Sequence, residues 1–127
     1  MIIHLHHGQV SIPKNSEDEA RLFYCDFLGL REIQKPASLE GRGGFWLQLD
    51  NVQVHFGTEE GVDRRATKAH LAYEVSDLSL WRERLREKGI EILDGIPIPG
   101  YDRIEFRDPF GNRVEFLQRL PGAGDLA

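Results

Sequence analysis

The stretch Ile104-Glu105-Phe106-Arg107-Asp108-Pro109-Phe110-Gly111-Asn112-Arg113-Val114-Glu115-Phe116-Leu117 predicts a β-hairpin. Apolar and polar residues alternate on both sides of a central segment, which is the pattern of two half-buried strands joined by a turn. Residues 108–112 form that turn, because Asp, Pro, Gly and Asn each favour turn conformations. A second hairpin has the same pattern at Phe45–Leu49 and Val52–Phe56, and its turn is Asp50-Asn51.

The two hairpins lie in two halves of the chain that repeat each other. Val54-His55-Phe56 corresponds to Val114-Glu115-Phe116, and 27–33 corresponds to 86–92. The spacing is about 60 residues with only two copies, which excludes a solenoid of many repeats. Each half also begins with an extended run headed by a histidine, His7–Ile12 and His70–Val75.

A helix is predicted after each of these leading runs. Ser16 and Glu19 fit a capping box, and Gly29 fits the end of the first helix. Asp77 and Gly89 bound the second helix in the same way. We therefore predict an α+β fold of two paired βαβββ modules in a single domain. Module 1 covers about 4–57, a linker 58–66, module 2 about 67–118 and a tail 119–127.

Composition limits the classes of function. The chain has 127 residues, which is room for one domain, and a net charge of -5, so the basic surface of a nucleic-acid-binding protein is absent. The sequence contains no apolar run near the ~20 residues that a membrane span needs, and its first seven residues have neither the basic flank nor the apolar stretch expected of a signal peptide. Its single cysteine, Cys25, excludes an internal disulfide and a cysteine-cluster zinc site. We expect a cytoplasmic protein that binds neither nucleic acid nor membrane.

Alternation along the strands separates an apolar face, which packs under the helices, from a polar face. The polar face of the hairpins carries Trp46, Gln48, Gln53, His55, Arg103, Glu105, Arg113 and Glu115. His7 and His70 have the parity of the same face in the leading strands. Three imidazoles and a carboxylate suit zinc, nickel, cobalt, iron or manganese. The alternative explanation is that this is the solvated face of an antiparallel sheet.

The chain resembles the vicinal oxygen chelate superfamily, which includes glyoxalase I, extradiol dioxygenases, fosfomycin-resistance enzymes, methylmalonyl-CoA epimerase and bleomycin-binding proteins. The resemblance covers about 4–118. It is carried by His7, by Phe23-Tyr24-x-x-Phe27-Leu28-Gly29-Leu30, by His70, and by Asp108-Pro109-Phe110-Gly111-Asn112-Arg113-x-Glu115.

The resemblance implies two modules that close a cup-shaped mixed sheet around a divalent metal, with the helices on the outer face. His7, His70 and Glu115 match the family's metal-ligand positions. The remaining position differs, because glyoxalase I usually carries Glu, which also moves the proton, where this chain has His55. Glyoxalase activity therefore does not transfer directly. Small members of the superfamily are commonly dimers, which suggests a homodimer.

The leading hypothesis is a metal-dependent enzyme of glyoxalase-like type, an isomerase or lyase that acts on a small oxygen-bearing molecule by proton transfer. His7, His55, His70 and Glu115 would hold the metal, and His55 or Glu115 would take the proton. Candidate substrate-binding residues on the same face or at its rim are Trp46, Gln48, Tyr101 and Arg103. The first alternative is an extradiol-type dioxygenase, against which a fourth ligand at His55 counts. The second is a metal-free protein that sequesters an aromatic compound or antibiotic, as the bleomycin-resistance members do.

Overall fold

The computed structural model describes residues 1–122 and contains two compact units, Met1–Arg64 and Arg65–Ala127. Each unit has one strand, one helix and then three strands, which confirms the predicted α+β class. The predicted tail at 119–127 lies partly outside the described residues. Among the described residues, no helix is long and apolar enough to cross a membrane.

The first unit is a four-stranded sheet with one helix. Its elements are β1 (His7–Ile12), α1 (Glu17–Arg21), a π-helical turn (Leu22–Phe27), β2 (Arg31–Ile33), a 3-10 turn (Ala37–Leu39), β3 (Phe45–Leu49) and β4 (Val52–Thr58). The strand order is β1-β4-β3-β2, in which β1 runs parallel to β4 and the other pairs are antiparallel. The sheet is therefore mixed, and its first strand pairs with its last.

The second unit repeats this topology. Its elements are β5 (His70–Glu74), α2 (Leu78–Glu87), β6 (Leu93–Asp94), β7 (Tyr101–Arg107) and β8 (Arg113–Arg119). The strand order is β5-β8-β7-β6, and the single parallel pair again joins the first strand to the last. The predicted hairpins are both present as β3–β4 and β7–β8.

The apolar face of each sheet forms the core, as alternation predicted. The buried side chains of the hairpins are Phe45, Leu47, Val54, Phe56, Ile104, Phe106, Val114 and Phe116. Leu49, expected in the same set, is exposed at the end of β3. In α2, Leu78 and Leu85 are buried, so the helix presents the expected apolar stripe.

The two helices differ at their ends. Asp77 caps α2 as predicted, because its carboxylate accepts a hydrogen bond from Leu80 N at 3.1 Å. The capping box at Ser16 is wrong, since the Ser16 hydroxyl donates to the carbonyl of Pro13 and makes no cap bond. The first helix also widens into a π-helical turn over Leu22–Phe27, which the 3.6-residue pattern did not predict.

Two polar side chains fix the chain around the sheets: Arg64, which the sequence did not single out, and Asp108, which it predicted in a turn. Arg64 is 8% exposed, and its guanidinium donates to Ser11 O at 2.9 Å and Glu59 O at 2.9 Å. It therefore fastens the predicted linker to β1. Asp108 accepts hydrogen bonds from Phe110 N at 2.9 Å and Asn112 N at 2.8 Å, and these bonds hold the β7–β8 turn.

Gly44, at the start of β3, provides a test of this packing. It has a φ of +79°, and a Cβ built there would lie 1.9 Å from the carbonyl oxygen of Phe56 on β4. We expect Gly44→Ala to lower the free energy of unfolding by more than about 2 kcal/mol, because both the backbone and β4 must shift. Chemical denaturation measures the change.

The matched control is Gly61→Ala. Gly61 also has a positive φ, of +73°, but no heavy atom of the described residues lies within 4 Å of the added Cβ. This substitution should cost only the backbone term of about 1 kcal/mol. Equal losses in the two variants would contradict the close approach of β3 and β4 at Gly44.

Candidate functional site

The parallel strand pair of each unit places two polar side chains on the same face in the same register. In the first unit His7 pairs with Gln53, so His55 lies two residues beyond the partner of His7. In the second unit His70 pairs with Arg113, so Glu115 lies two residues beyond the partner of His70. The structure therefore brings His7 to His55 and His70 to Glu115 at equivalent positions of the two sheets.

In the first unit His55 lies within a stack of three aromatic rings. The ring of Trp46 on β3 is 3.8 Å from that of His55, and the ring of His7 on β1 is 4.0 Å away on its other side. The stack leaves His55 only 6% exposed. Burial lowers the pKa of the His55 imidazole to about 4, with a smaller contribution from His7, so the ring is neutral at pH 7.

Hydrogen bonds determine which nitrogens of these rings carry lone pairs. Gln53 Oε1 lies 2.8 Å from Nε2 of His55 and accepts a hydrogen bond from it. The proton of the neutral ring is therefore on Nε2, and the lone pair is on Nδ1. Nδ1 of His7 lies 3.0 Å from Nδ1 of His6, so Nε2 is the His7 nitrogen that could act as a metal ligand. Both imidazoles are thus held by a neighbour through one nitrogen, as ligating histidines are.

In the second unit His70 and Glu115 form a close polar pair. Nδ1 of His70 donates to the carbonyl oxygen of Lys68 at 2.8 Å, and this bond orients the ring. Nε2 of the same ring lies 3.0 Å from Oε1 of Glu115, which is 6% exposed. If a metal displaced a proton from Nε2, a nitrogen lone pair and a carboxylate oxygen would face the same region, which is an arrangement that suits a cation.

Two arginines surround this pair. Nη1 of Arg103 on β7 lies 3.0 Å from Oε1 of Glu115 and 3.4 Å from Oε1 of Glu105. Arg113 on β8 pairs with Glu105, and this hydrogen bond holds the pKa of the Glu105 carboxyl below its usual range. Among residues 1–122, one buried side-chain polar atom, Nε of Arg113, has no hydrogen-bond partner.

The predicted substrate-binding residues have different surroundings. Trp46 covers His55, while the amide of Gln48 donates to the carbonyl of Asp50 at 2.6 Å and so belongs to the β3–β4 turn. Tyr101 and Arg103 both line a pocket of about 290 Å³ in the second unit. Arg103 therefore connects this pocket to Glu115.

The donor types present fit a divalent metal, although the described part of the chain contains no group of three or more His, Cys, Asp or Glu side chains arranged to hold one. His70 and Glu115 direct a nitrogen and an oxygen toward one region, 3.0 Å apart. His7 and His55 are nearly parallel, at 13°, so they must rotate before their nitrogens can share an ion. Arg103 already provides a positive charge at Glu115.

Two contributors to the site were not identified from the sequence. The carbonyl of Lys68 orients His70, and backbone carbonyls leave no signal in sequence patterns. Gly95 lies against the guanidinium of Arg103, so that a Cβ there would be 2.5 Å from Nη2. The only available signal was that this glycine comes just after a short strand.

Comparisons with known proteins agree with the fold. The model of a family described as the Glyoxalase/Bleomycin resistance protein/Dioxygenase superfamily matches residues 6–116. A protein of Arabidopsis thaliana named Glyoxylase I 4 is 26% identical over 94% of this chain and 77% of its own length.

Solved structures give the same result. A Bacillus anthracis protein described as a glyoxalase family member superposes with a TM-score of 0.86 at 38% identity, covering 94% of this chain and 98% of the other. A fosfomycin resistance protein of Listeria monocytogenes has a TM-score of 0.74 at 18% identity, covering 97% and 96% of the two chains. This second likeness concerns the fold alone.

The burial of His55 predicts an unusual titration. Its ring signals in NMR spectra should titrate near pH 4 rather than 6.5, because the stacked rings exclude water from the imidazolium. As the pH falls from 6.5 toward 4, the unfolded chain binds a proton at His55 that the folded chain does not. The free energy of unfolding therefore decreases over this range. His55→Gln identifies the signal. Trp46→Leu should raise the midpoint, and a midpoint of 6.5 in the unsubstituted protein would contradict the burial.

Proposed function

Because this chain belongs to the Glyoxalase/Bleomycin resistance protein/Dioxygenase superfamily, we propose that it is a metal-dependent enzyme acting on a small oxygen-bearing substrate. The reaction is an isomerisation or a lyase reaction that proceeds by proton transfer. The proposed metal ligands are His7, His55, His70 and Glu115. Exposed apolar side chains near the N-terminus, Ile2, Ile3 and Leu5, support a homodimer as the assembly.

The observation that carries this proposal is the arrangement of His70 and Glu115. A ring whose Nδ1 is tied to a carbonyl oxygen and whose Nε2 faces a carboxylate oxygen at 3.0 Å has the orientation that metal-ligating histidines adopt. The equivalent register of His7 and His55 supports extending the ligand set to them.

When bound, zinc, nickel, cobalt, iron or manganese would supply Lewis-acid stabilisation of negative charge on substrate oxygens. His55 is neutral at pH 7, so it offers a lone pair without first losing a proton. A base with a pKa of about 4 is poorly matched to removing a proton from carbon at neutral pH, which favours a ligand role for His55 over a base role.

The neighbouring side chains support a polar substrate. Nε of Arg113 is a buried donor without a partner among the described residues, which marks this part of the polar face as incompletely hydrogen-bonded. Tyr101 and Arg103 line the pocket beside the same strand pair and would bind an acidic or oxygen-rich group. Trp46 would form an apolar wall.

A second candidate is a metal-free protein that binds an aromatic compound. It is favoured by the ordered ring stack of Trp46, His55 and His7 and by the ion pair of Glu115 with Arg103. We place it second because it assigns no role to the matching registers of His7 with His55 and of His70 with Glu115. Ring-cleaving oxygenation ranks lower still, because a fourth protein ligand at His55 reduces the open positions that oxygen and substrate need.

Metal content of the purified, zinc-repleted protein tests the proposal. We expect one divalent ion bound per chain in the unsubstituted protein. His70→Ala should lose most of this metal, because it removes a nitrogen that is already oriented toward the Glu115 carboxylate. The matched control is His4→Ala, which removes an exposed imidazole outside the set and should leave the metal content unchanged.

Each outcome separates the two candidates. Equal metal content in the unsubstituted and His70→Ala proteins would exclude His70 as a ligand. A chain that binds no zinc, nickel, cobalt, iron or manganese after repletion would exclude the enzyme and favour the aromatic-binding protein. Metal-loaded protein would then be assayed on hemithioacetals, acyl-CoA epimers, catechols and epoxides.

The variant His55→Gln distinguishes a metal-ligand role of His55 from a role as the proton-transfer base. An amide oxygen can occupy a coordination position, so this variant should keep metal and keep turnover within about tenfold if His55 is a ligand only. If His55 is the essential base, turnover should fall by about 10²–10⁴-fold while metal is retained. Metal content and turnover are measured on the same preparation, and retained metal with the larger loss would contradict the ligand-only role.

A further inference from the structure

We propose that Arg103 is a resident cation that neutralises Glu115 when no metal is bound and that a divalent metal must displace it, so that Arg103 sets the metal affinity. This inference rests on the proposed function. It assigns to Arg103 a role distinct from contact with substrate, and it makes this residue a competitor of the ion instead of a ligand.

The contacts of Arg103 place its charge against a carboxylate oxygen of the proposed ligand set. Its Nη1 and the Nε2 of His70 are both 3.0 Å from the same oxygen, Oε1 of Glu115. The side chain of Arg103 is 15% exposed and that of Glu115 8%, so water screens this ion pair only weakly. A second positive charge cannot approach that oxygen while the guanidinium remains, because the two charges repel each other and compete for the same lone pairs.

The surrounding chain holds the guanidinium in this place. Nε of Arg103 donates to the carbonyl oxygen of Ile96 at 2.9 Å. Gly95 lets the group lie flat on the backbone, because a Cβ at this position would be 2.5 Å from Nη2 and 2.6 Å from Cζ. The φ of Gly95 is not in the left-handed region, so this glycine serves close packing and not a turn.

The same side chain has space to move. Arg103 forms part of the wall of the pocket of about 290 Å³, whose other walls include Asp94, Tyr101 and Asp102. Rotation about its flexible stem would carry the guanidinium from Glu115 into this pocket, toward two carboxylates. The ion pair with Glu115 can therefore open without unfolding either strand.

Zinc binding to the purified full chain, measured by calorimetry or chelator competition, tests the inference without any activity assay. We expect Arg103→Gln to bind Zn²⁺ at least tenfold more tightly than the unsubstituted protein, because the competing charge is gone. The matched control is Arg82→Gln. Arg82 lines the same pocket but pairs with Asp94 at 2.9 Å and Asp102 at 3.4 Å, and its loss should change the affinity less than twofold.

Gly95→Ala is a second variant that keeps every charge. The three atoms nearest to its methyl group all belong to the Arg103 guanidinium, at the end of a flexible side chain, so the guanidinium must shift. We expect zinc affinity to rise about threefold or more. This variant keeps the inference testable if Arg103→Gln, which leaves Glu115 without its partner, folds poorly.

A double-mutant cycle with Glu115→Gln shows whether Arg103 acts through Glu115. In the Glu115→Gln background, Arg103→Gln should no longer tighten zinc binding, whereas a remaining tenfold effect would contradict the competition. Unchanged or weaker binding in both Arg103→Gln and Gly95→Ala, with zinc bound by the unsubstituted protein, would overturn this inference and leave the proposed function intact. Absence of zinc binding in all of these proteins would overturn both.

Discussion

The parallel pairing of the first strand with the last strand in each unit is the constraint on which the rest of the molecule depends. Side chains alternate between faces with a period of two, so a slip of one residue between β5 and β8 would move Glu115 into the core and Val114 onto the polar face. The apolar side chains of β8 exclude that slip, because Val114 and Phe116 are buried in the core and would be moved out of it. The same burial that stabilises the sheet therefore determines which side chains meet on its other face.

Burying ionisable side chains on the polar faces of the two sheets costs free energy unless each charge is paired or neutralised. His55, Glu105 and Glu115 are all nearly buried, and an unpaired carboxylate in such a place would favour unfolding. The first unit solves this with a neutral imidazole covered by aromatic rings, whereas the second pairs its carboxylates with Arg103 and Arg113. The two sheets share one topology but differ in local electrostatics, one being uncharged and the other ionic.

The sequence was sufficient for the features that depend on periodicity. Alternation predicted β1 at its observed bounds, both hairpins and the face on which His7, His55, His70 and Glu115 lie, and the vicinal oxygen chelate resemblance is confirmed by the family match. It was insufficient where side chains choose among several partners. Ser16 was expected to cap a helix but bonds to Pro13 instead, because both options are local and similar in energy. The pairing of Arg103 with Glu115 depends on β6, β7 and β8 together, and no pattern along one strand contains that information.

The closure of each sheet within its own half of the chain bears on how the protein could be re-engineered. Every strand pair of the first unit lies before Arg64, and every strand pair of the second lies after it. Arg64 ties the end of the first half back to β1, so the chain that follows begins from a fixed point. New termini introduced after Arg64 would interrupt no hydrogen-bonded ladder. The stretch from Arg65 to Ala69 is therefore a position where an inserted segment would leave every strand pair of both units intact.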